Sequence, residues 1–266
     1  MRKIHLLLIY FALILALSAA CGKGKDAVST DGSTSMERVM SALIEGYRAT
    51  DSTVIVNYSG TGSGAGIESV LSGICDIGLS SRPLSESEIR KGATAHLVAL
   101  DGIAVIVNAS NPVINLTKAQ LAQIFTGEIT DWSQLGSKQA PIAVYGREAG
   151  SGTRSAFEES ADITGRAHYT NEYNSGGDIV SSISLNPNGI GYVSLAHVKG
   201  NVRPLSIDGT VCSEETIRSG QYTIQRPFLF VTDRRKPLAP QTQAFLDYAT
   251  GDAVSEYIAI AGAIAP

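Results

Sequence analysis

The sequence predicts an α/β fold, because short β-branched segments alternate with segments of helical period along its 266 residues. Such alternation is typical of sheets that helices cover on both faces. Strands are expected at Thr53–Tyr58, Gly102–Asn108, Pro141–Tyr145, Gly191–Val193 and Phe228–Thr232. Helices are expected where apolar residues recur at helical spacing, at Met36–Tyr47, Ile67–Leu71, Leu121–Phe125, Arg154–Glu159, Ile179–Ile183 and Phe245–Ala249. Thr117 and Gln120 form the pattern of a capping box before the third of these helices.

The N-terminal segment has the pattern of an export signal. Two basic residues, an unbroken apolar run from Leu6 to Leu17 and three small residues precede Cys21. The run is shorter than the roughly 20 apolar residues that span a bilayer. We therefore expect a signal peptide at 1–20, lipidation of Cys21 and a short tether at 21–26, so that the mature protein is exported and anchored to the membrane surface by its lipid. The alternative is an ordinary signal peptide in which Cys21 has no role.

The remaining composition excludes several function classes. About 245 residues follow Cys21, which suits one large domain or two of moderate size. The net charge of −4 and the lack of a basic block make nucleic acid an unexpected partner. The mature chain has three widely separated histidines, so neither a metal site nor a Ser-His-Asp triad is expected. Cys75 and Cys212 could form a disulfide, or could equally be buried small hydrophobic residues.

Three turns rich in glycine and serine each precede a predicted helix, at Gly32–Ser35, Gly60–Gly66 and Gly150–Thr153. The first turn of a helix presents unpaired N–H groups and the positive end of the helix dipole, so it attracts anions. Any one of these turns could be a plain helix cap. Three together, with Arg147 just before the third, could surround a tetrahedral oxyanion.

The stretches DGSTSMERVM, SGTGSGAGIESV, IFTGEITDW and GREAGSGTR carry a resemblance to a known family. The chain resembles the PstS-like phosphate-binding proteins of bacterial ABC transporters, which belong to the type II periplasmic-binding-protein superfamily. The resemblance implies two α/β lobes joined by two crossover strands, near Leu100–Val107 and Phe228–Thr232, with a ligand cleft between the lobes. Lobe 1 would comprise 27–100 plus 229–266, and lobe 2 would comprise 101–228.

The family's ligand contacts map onto residues of the three turns. The resemblance implies phosphate contacts from Thr34, Ser35, Ser63, Arg147, Ser151, Gly152 and Thr153. For Thr34 and Thr153 a helix-capping role remains open as well.

One segment departs from the family pattern. Some members carry an Asp that accepts the proton of hydrogen phosphate and disfavours sulfate, whereas this chain has Ser81 followed by Arg82. Ser81 is expected to contact the ligand from this position. Asp101 could supply the missing acceptor, or could be a structural residue that binds local N–H groups. Arg82 could contact the ligand, or could pair with a surface acid such as Glu86.

The resemblance implies a monomeric binding protein, without enzymatic activity, cofactor or metal, that captures inorganic phosphate and passes it to the permease subunits of an ABC transporter. Two alternatives remain open. The protein could bind a sulfate-like oxyanion, or it could keep the fold as a phosphate sensor or interaction protein without transport.

Overall fold

The fold is described from a computed structural model, which describes residues 26–266. The predicted signal peptide, Cys21 and nearly all of the tether lie outside the described residues. Eleven strands are present in the described part of the chain: β1 Asp26–Gly32, β2 Val54–Gly60, β3 Ile77–Ser80, β4 Ala93–Asn108, β5 Asn115–Leu116, β6 Ala143–Arg147, β7 Asn171–Tyr173, β8 Gly189–Ser194, β9 Val202–Pro204, β10 Ser206–Ile207 and β11 Gln225–Asp233.

Helices connect most of these strands. Within residues 26–266 the α-helices are α1 Glu37–Thr50, α2 Ser63–Ser72, α3 Glu86–Arg90, α4 Lys118–Phe125, α5 Gly152–Ser160, α6 Gly176–Leu185, α7 Glu214–Arg218, α8 Pro240–Ala249 and α9 Ser255–Ile260. A short 3-10 helix at Thr34–Met36 precedes α1. The predicted capping box at α4 is present, because the Thr117 hydroxyl accepts from Gln120 N at 3.1 Å and the Gln120 side chain accepts from Thr117 N at 2.9 Å. None of these helices has the length and apolar character that crossing a bilayer requires.

The long strand β4 joins two sheets. The strand order is β2-β1-β3-β11-β4-β8-β6-β7, with β9 also paired to β4. Residues Ala93–Gly102 of β4 pair antiparallel with β11, and residues Ile103–Val107 pair antiparallel with β8. β1 runs parallel to β2 and β3, and β6 runs parallel to β7 and β8. Each half of the molecule therefore has a largely parallel set of strands, and β4 passes from one to the other.

Two large hydrophobic cores correspond to the two halves. One core contains Val28, Met36, Leu43, Phe228, Phe230 and Phe245 among others. The second is built around residues Ile103–Val107 of β4 and includes Phe125, Trp132, Phe157 and Tyr192. This arrangement confirms the predicted two-lobed α/β fold.

Helix α2 packs unusually close to the sheet of the first lobe, because glycines meet at the contact. A Cβ on Gly66 would clash with the backbone of Asp31 and Gly32 in β1. A Cβ on Gly78 of β3 would lie 2.7 Å from the carbonyl oxygen of Gly66. This close approach brings the first residue of α2, Ser63, to the carboxyl ends of β1 and β3.

Candidate anion-binding site

The three glycine-serine turns converge at the carboxyl ends of the parallel strands. The first follows β1, the second follows β2 and the third follows β6, which is where ligands bind in open α/β sheets. The Ser35 Oγ and Thr153 Oγ1 atoms, on opposite lobes, are 2.7 Å apart. Gly64 N donates to the carbonyl oxygen of Gly150 at 3.2 Å. The lobes therefore contact each other directly around the point at which the turns meet.

A cluster of buried hydroxyl groups surrounds Ser81, which directly follows β3. Ser33 Oγ donates to Ser81 Oγ at 2.8 Å, and Ser63 Oγ lies 3.2 Å from the same atom. Ser81 N donates to Ser63 Oγ at 3.0 Å. A Cβ on Gly152 would lie 2.6 Å from Ser81 Oγ. Gly152 thus allows the backbone of lobe 2 to approach the hydroxyl cluster of lobe 1.

The turns present backbone donors to this point. Thr34, Ser63 and Gly152 are the first residues of their helices, and Ser35 and Thr153 are the second, so their N–H groups precede the first intrahelical acceptors. The N-cap of α5 is Ser151, whose Oγ accepts from Arg154 N at 3.4 Å. The hydroxyls of Thr34 and Thr153 instead contact other groups of the site.

Arg147, the last residue of β6, is held in place from one side. Its side chain is 2% exposed and pairs with Glu148, with Nε to Oε2 at 2.9 Å and Nη2 to Oε1 at 3.0 Å. Nη2 also donates to Thr34 Oγ1 at 2.9 Å, across the cleft. Nη1 makes a long contact of 3.5 Å with Thr153 Oγ1. The Nη1 side of the guanidinium therefore faces the hydroxyls and helix starts, where an anion would lie.

Asp101 forms a buried ion pair with Arg226, its direct cross-strand partner on β11. Arg226 Nε and Nη2 donate to Asp101 Oδ2 at 2.9 and 2.8 Å. Ser194 Oγ donates to Asp101 Oδ1 at 2.7 Å, and Arg226 Nη1 donates to Ser81 Oγ at 3.2 Å. Burial raises the pKa of Asp101, and the bonds from Arg226 and Ser194 oppose that shift because they stabilise the carboxylate.

Arg226 was not among the residues that the sequence predicted for the site. Its contacts depend on a strand pairing between positions that are 125 residues apart. The only local signal was an arginine within the apolar strand pattern around residues 224–232, where an unpaired charge would be costly.

Two other arginines near the predicted site face elsewhere. Arg82 forms an ion pair with Glu88, with Nη2 to Oε1 at 2.7 Å and Nη1 to Oε2 at 2.9 Å. Of the two alternatives for Arg82, the structure therefore shows pairing with an acid, and that acid is Glu88 instead of the suggested Glu86. The reason is that Glu88, at the third position of α3, folds back to cap Ser85 N, whereas Glu86 points outward to Arg90.

Arg154 is likewise directed away from the meeting point of the turns. Its Nε donates to Glu158 Oε1 at 2.8 Å and its Nη1 donates to Glu172 Oε1 at 2.8 Å. The guanidinium also lies over the ring of Tyr169, 4.8 Å from its centroid. These contacts anchor α5 within lobe 2.

The remaining reactive side chains are buried within the lobes. Cys75 and Cys212 are free thiols in two separate hydrophobic clusters, and burial raises the pKa of Cys212 to about 12. Burial, followed by the nearby charges of Arg226, Arg38 and Arg147, lowers the pKa of His197 to about 4. Residues 26–266 contain no group of three or more His, Cys, Asp or Glu side chains that could hold a metal ion.

One further contact ties the lobes together beside the turns. Arg38, in the first helix, donates from Nη1 to the carbonyl oxygen of Ala196 at 2.6 Å. Together with the Ser35–Thr153 and Arg147–Thr34 contacts, it links the two lobes around the site.

The chain matches known proteins over most of its length. The model of the PBP superfamily domain matches residues 18–253. The phosphate-binding protein PstS of Borreliella burgdorferi is 29% identical over 264 residues, covering 94% of each chain. PstS of Bacillus subtilis is 29% identical over 239 residues, which cover 82% of this chain and 79% of the relative.

Two solved structures have the same fold. One is a crystal structure with bound phosphate of a protein from Clostridium perfringens assigned as a phosphate ABC transporter substrate-binding protein. It has a TM-score of 0.87 and 34% identity, covering 91% of this chain and 100% of the other. The second, an ABC-type phosphate transport receptor from Vibrio cholerae, has a TM-score of 0.75 and 32% identity with the same coverage. From these matches and the two-lobed α/β architecture we conclude that the chain belongs to the periplasmic-binding-protein (PBP) superfamily and, within it, to the PstS-like family.

Proposed function

We propose that this protein binds inorganic phosphate outside the cytoplasmic membrane and delivers it to the permease of an ABC transporter. The observation that carries this proposal is the convergence of three helix N-termini, their hydroxyl groups and Arg147 on one point between the lobes. The relatives named above are phosphate-binding proteins, and the family is one of substrate-binding proteins rather than enzymes.

The chemistry of the site suits a tetrahedral oxyanion. Thr34, Ser35, Ser63 and Thr153 supply hydroxyl groups, and each is also placed to donate its backbone N–H. Arg147 adds a charged donor that is already oriented by Glu148. Charge-assisted hydrogen bonds are roughly twice as strong as neutral ones, and burial strengthens them further.

The transport role also rests on features that remain proposals. We propose that Cys21 is lipidated after removal of residues 1–20 and that the protein works as a monomer beside its permease. We further propose the lobe boundaries predicted above, which are supported by the change of strand partner between Gly102 and Ile103 of β4. Relative movement of the lobes about the crossover strands would then capture and release the anion.

Isothermal titration calorimetry of the mature chain with phosphate and with sulfate tests the binding proposal. We expect saturable phosphate binding with one site per chain. A protein that binds neither anion, or sulfate alone, would contradict the phosphate assignment. Phosphate uptake by cells with and without the gene then tests delivery, and unchanged uptake alongside tight binding would favour a sensor.

A further inference from the structure

We propose that Arg226 is a second anion-binding arginine of this site, and that Asp101 acts as its buried counter-ion instead of contacting the ligand. The proposal rests on the proposed function for the identity of the anion. It adds to that function a binding residue outside the three turns and a physical basis for selecting the negative charge of the anion.

The first argument is the hydrogen-bond capacity of Arg226. A guanidinium has five N–H groups. One from Nε and one from Nη2 bind Asp101, and one from Nη1 binds Ser81 Oγ. This leaves one N–H on Nη1 and one on Nη2 in a side chain that is only 1% exposed. Because an unsatisfied buried donor of a charged group is costly, these N–H groups favour an acceptor within the site.

The second argument is that the acceptor capacity of Asp101 is already used. A carboxylate offers about four lone-pair sites. Arg226 fills two of them and Ser194 Oγ fills a third, and the backbone N–H of Leu195 further stabilises the carboxylate. Asp101 is therefore satisfied within the protein, and its charge serves to hold Arg226 in position.

The third argument is the direction of the hydrogen bonds around Ser81. Its hydroxyl oxygen accepts from Arg226 and from Ser33, so its own proton points towards Ser63 or towards the ligand. Ser63 Oγ in turn accepts from Ser81 N, which directs the Ser63 proton outward. This wall thus presents donors, and it selects for negative charge on the anion rather than for a proton that the anion could donate.

The position of Arg147 agrees with this assignment. Burial lowers the pKa of Arg226, Asp101 opposes this shift, and the charge of Arg147 adds a smaller lowering, so the two guanidinium groups lie near enough to repel each other. An anion between them converts that repulsion into two attractions. The doubly charged form of phosphate gains most from this arrangement, and sulfate carries the same charge.

The test compares calorimetric affinities of wild type, Asp101→Asn and the double variant Asp101→Asn/Arg226→Met. The double variant removes both charges, so it leaves no uncompensated buried ion. We expect the double variant to bind phosphate about 30-fold or more weakly than wild type, as when one partner of a buried charge pair is removed. Asp101→Asn should lose less affinity, since Arg226 stays but loses the charge of its counter-ion. A double variant that binds as tightly as Asp101→Asn would overturn the proposal.

The control is Arg82→Met, which removes a neighbouring arginine that pairs with Glu88 and should leave affinity unchanged. Thermal melts establish that each variant is folded. If Asp101→Asn does not fold, Arg226→Lys replaces it in the test, since lysine keeps the charge and loses the fork; unchanged affinity in this variant would overturn the proposal.

Two measurements on wild type separate the inference from the proposed function. Affinity for phosphate should rise with pH through its second ionisation, and sulfate should compete. A fall in affinity over that range would contradict the selection for charge. If wild type binds sulfate alone, the phosphate assignment fails, but the same variants titrated with sulfate still test the role of Arg226. If wild type binds neither anion, both proposals fail.

Discussion

Arg147 links the third turn to the first through its bond with Thr34, so its removal affects both lobes. We expect Arg147→Ala to weaken phosphate binding by about 2–5 kcal/mol, the range for truncating one partner of a buried charge pair. Calorimetry measures this loss. Arg154→Ala is the matched control, because it removes an arginine of the same region whose guanidinium faces away; it should lower the melting temperature and leave affinity unchanged. An unchanged affinity in Arg147→Ala would show that Arg147 does not contact the anion.

Gly152 also determines the geometry of the site, because it has no side chain. We expect Gly152→Ala to weaken phosphate binding strongly, because the added Cβ would clash with Ser63 and Ser81 and push α5 away from lobe 1. The folding of the separate lobes should survive, so the melting temperature should change little. Gly177→Ala in α6 is the control, since the nearest of the atoms around its Cβ is the Ser175 hydroxyl at 3.7 Å. Tight binding by Gly152→Ala would contradict the described contact between the lobes.

The residues of the site divide into those that local sequence can identify and those that it cannot. Thr34, Ser63 and Thr153 lie within glycine-serine turns, so a short motif places them at helix starts and the structure brings these turns together. Arg226 depends on strand pairing with Asp101, and no local pattern reports which residue will lie opposite it. The role assigned to Asp101 from sequence, as an acceptor for phosphate, stays a prediction that the Arg226 experiment addresses.

At the scale of elements, the long periodic segments were predictable, whereas strands β1 and β3 were not. Helix α1 at Glu37–Thr50 and strand β2 at Val54–Gly60 lie within a few residues of the predictions. Strand β3 escaped prediction because its four residues, all buried, show no alternation and include a single β-branched residue, Ile77. Strand β1 escaped because its sequence DAVSTDG is mostly polar, although it lies between two other strands of the sheet.

Helix α3 should make an acid-sensitive contribution to stability. Hydrogen bonds from Arg82 and Ser85 outweigh burial and lower the pKa of Glu88 from 4.5 to about 2. A lowered folded-state pKa means that the stabilisation is present above pH 4.5 and is lost as pH falls towards 2. Acid denaturation of Glu88→Gln, compared with wild type by circular dichroism, should therefore show a shallower loss of stability in this range. Glu86→Gln, which alters an exposed pair, is the control, and equal slopes in all three proteins would contradict the prediction.

At the scale of the whole molecule, the alternation of strands and helices predicted an α/β fold but not two lobes. The division into lobes came from the family resemblance, since nothing in the periodicity shows that β4 changes partner halfway along. Residues Asp101–Asn108 are buried without exception, whereas Thr94–Leu97 include exposed positions. Because one half of this strand is covered on both faces and the other half only partly, the two halves have different sequence patterns and do not look like one continuous strand.

The strand order has a consequence for how the chain assembles in time. Strand β11, residues 225–233, lies between β3 and β4, so the sheet of the first lobe lacks a central strand until nearly the whole chain is available. The core of that lobe also waits for Phe228, Phe230 and Phe245. Most elements of the second lobe, in contrast, lie between residues 103 and 224 without interruption.

We therefore expect the second lobe to fold first, since nearer contacts cost less loop-closure entropy. Pulsed hydrogen exchange during refolding should protect amides of β6 and β8 before those of β1 and β2, and the reverse order would contradict this expectation. If the chain is exported N-terminus first, as proposed, the part that crosses the membrane earliest is then the part that becomes native last.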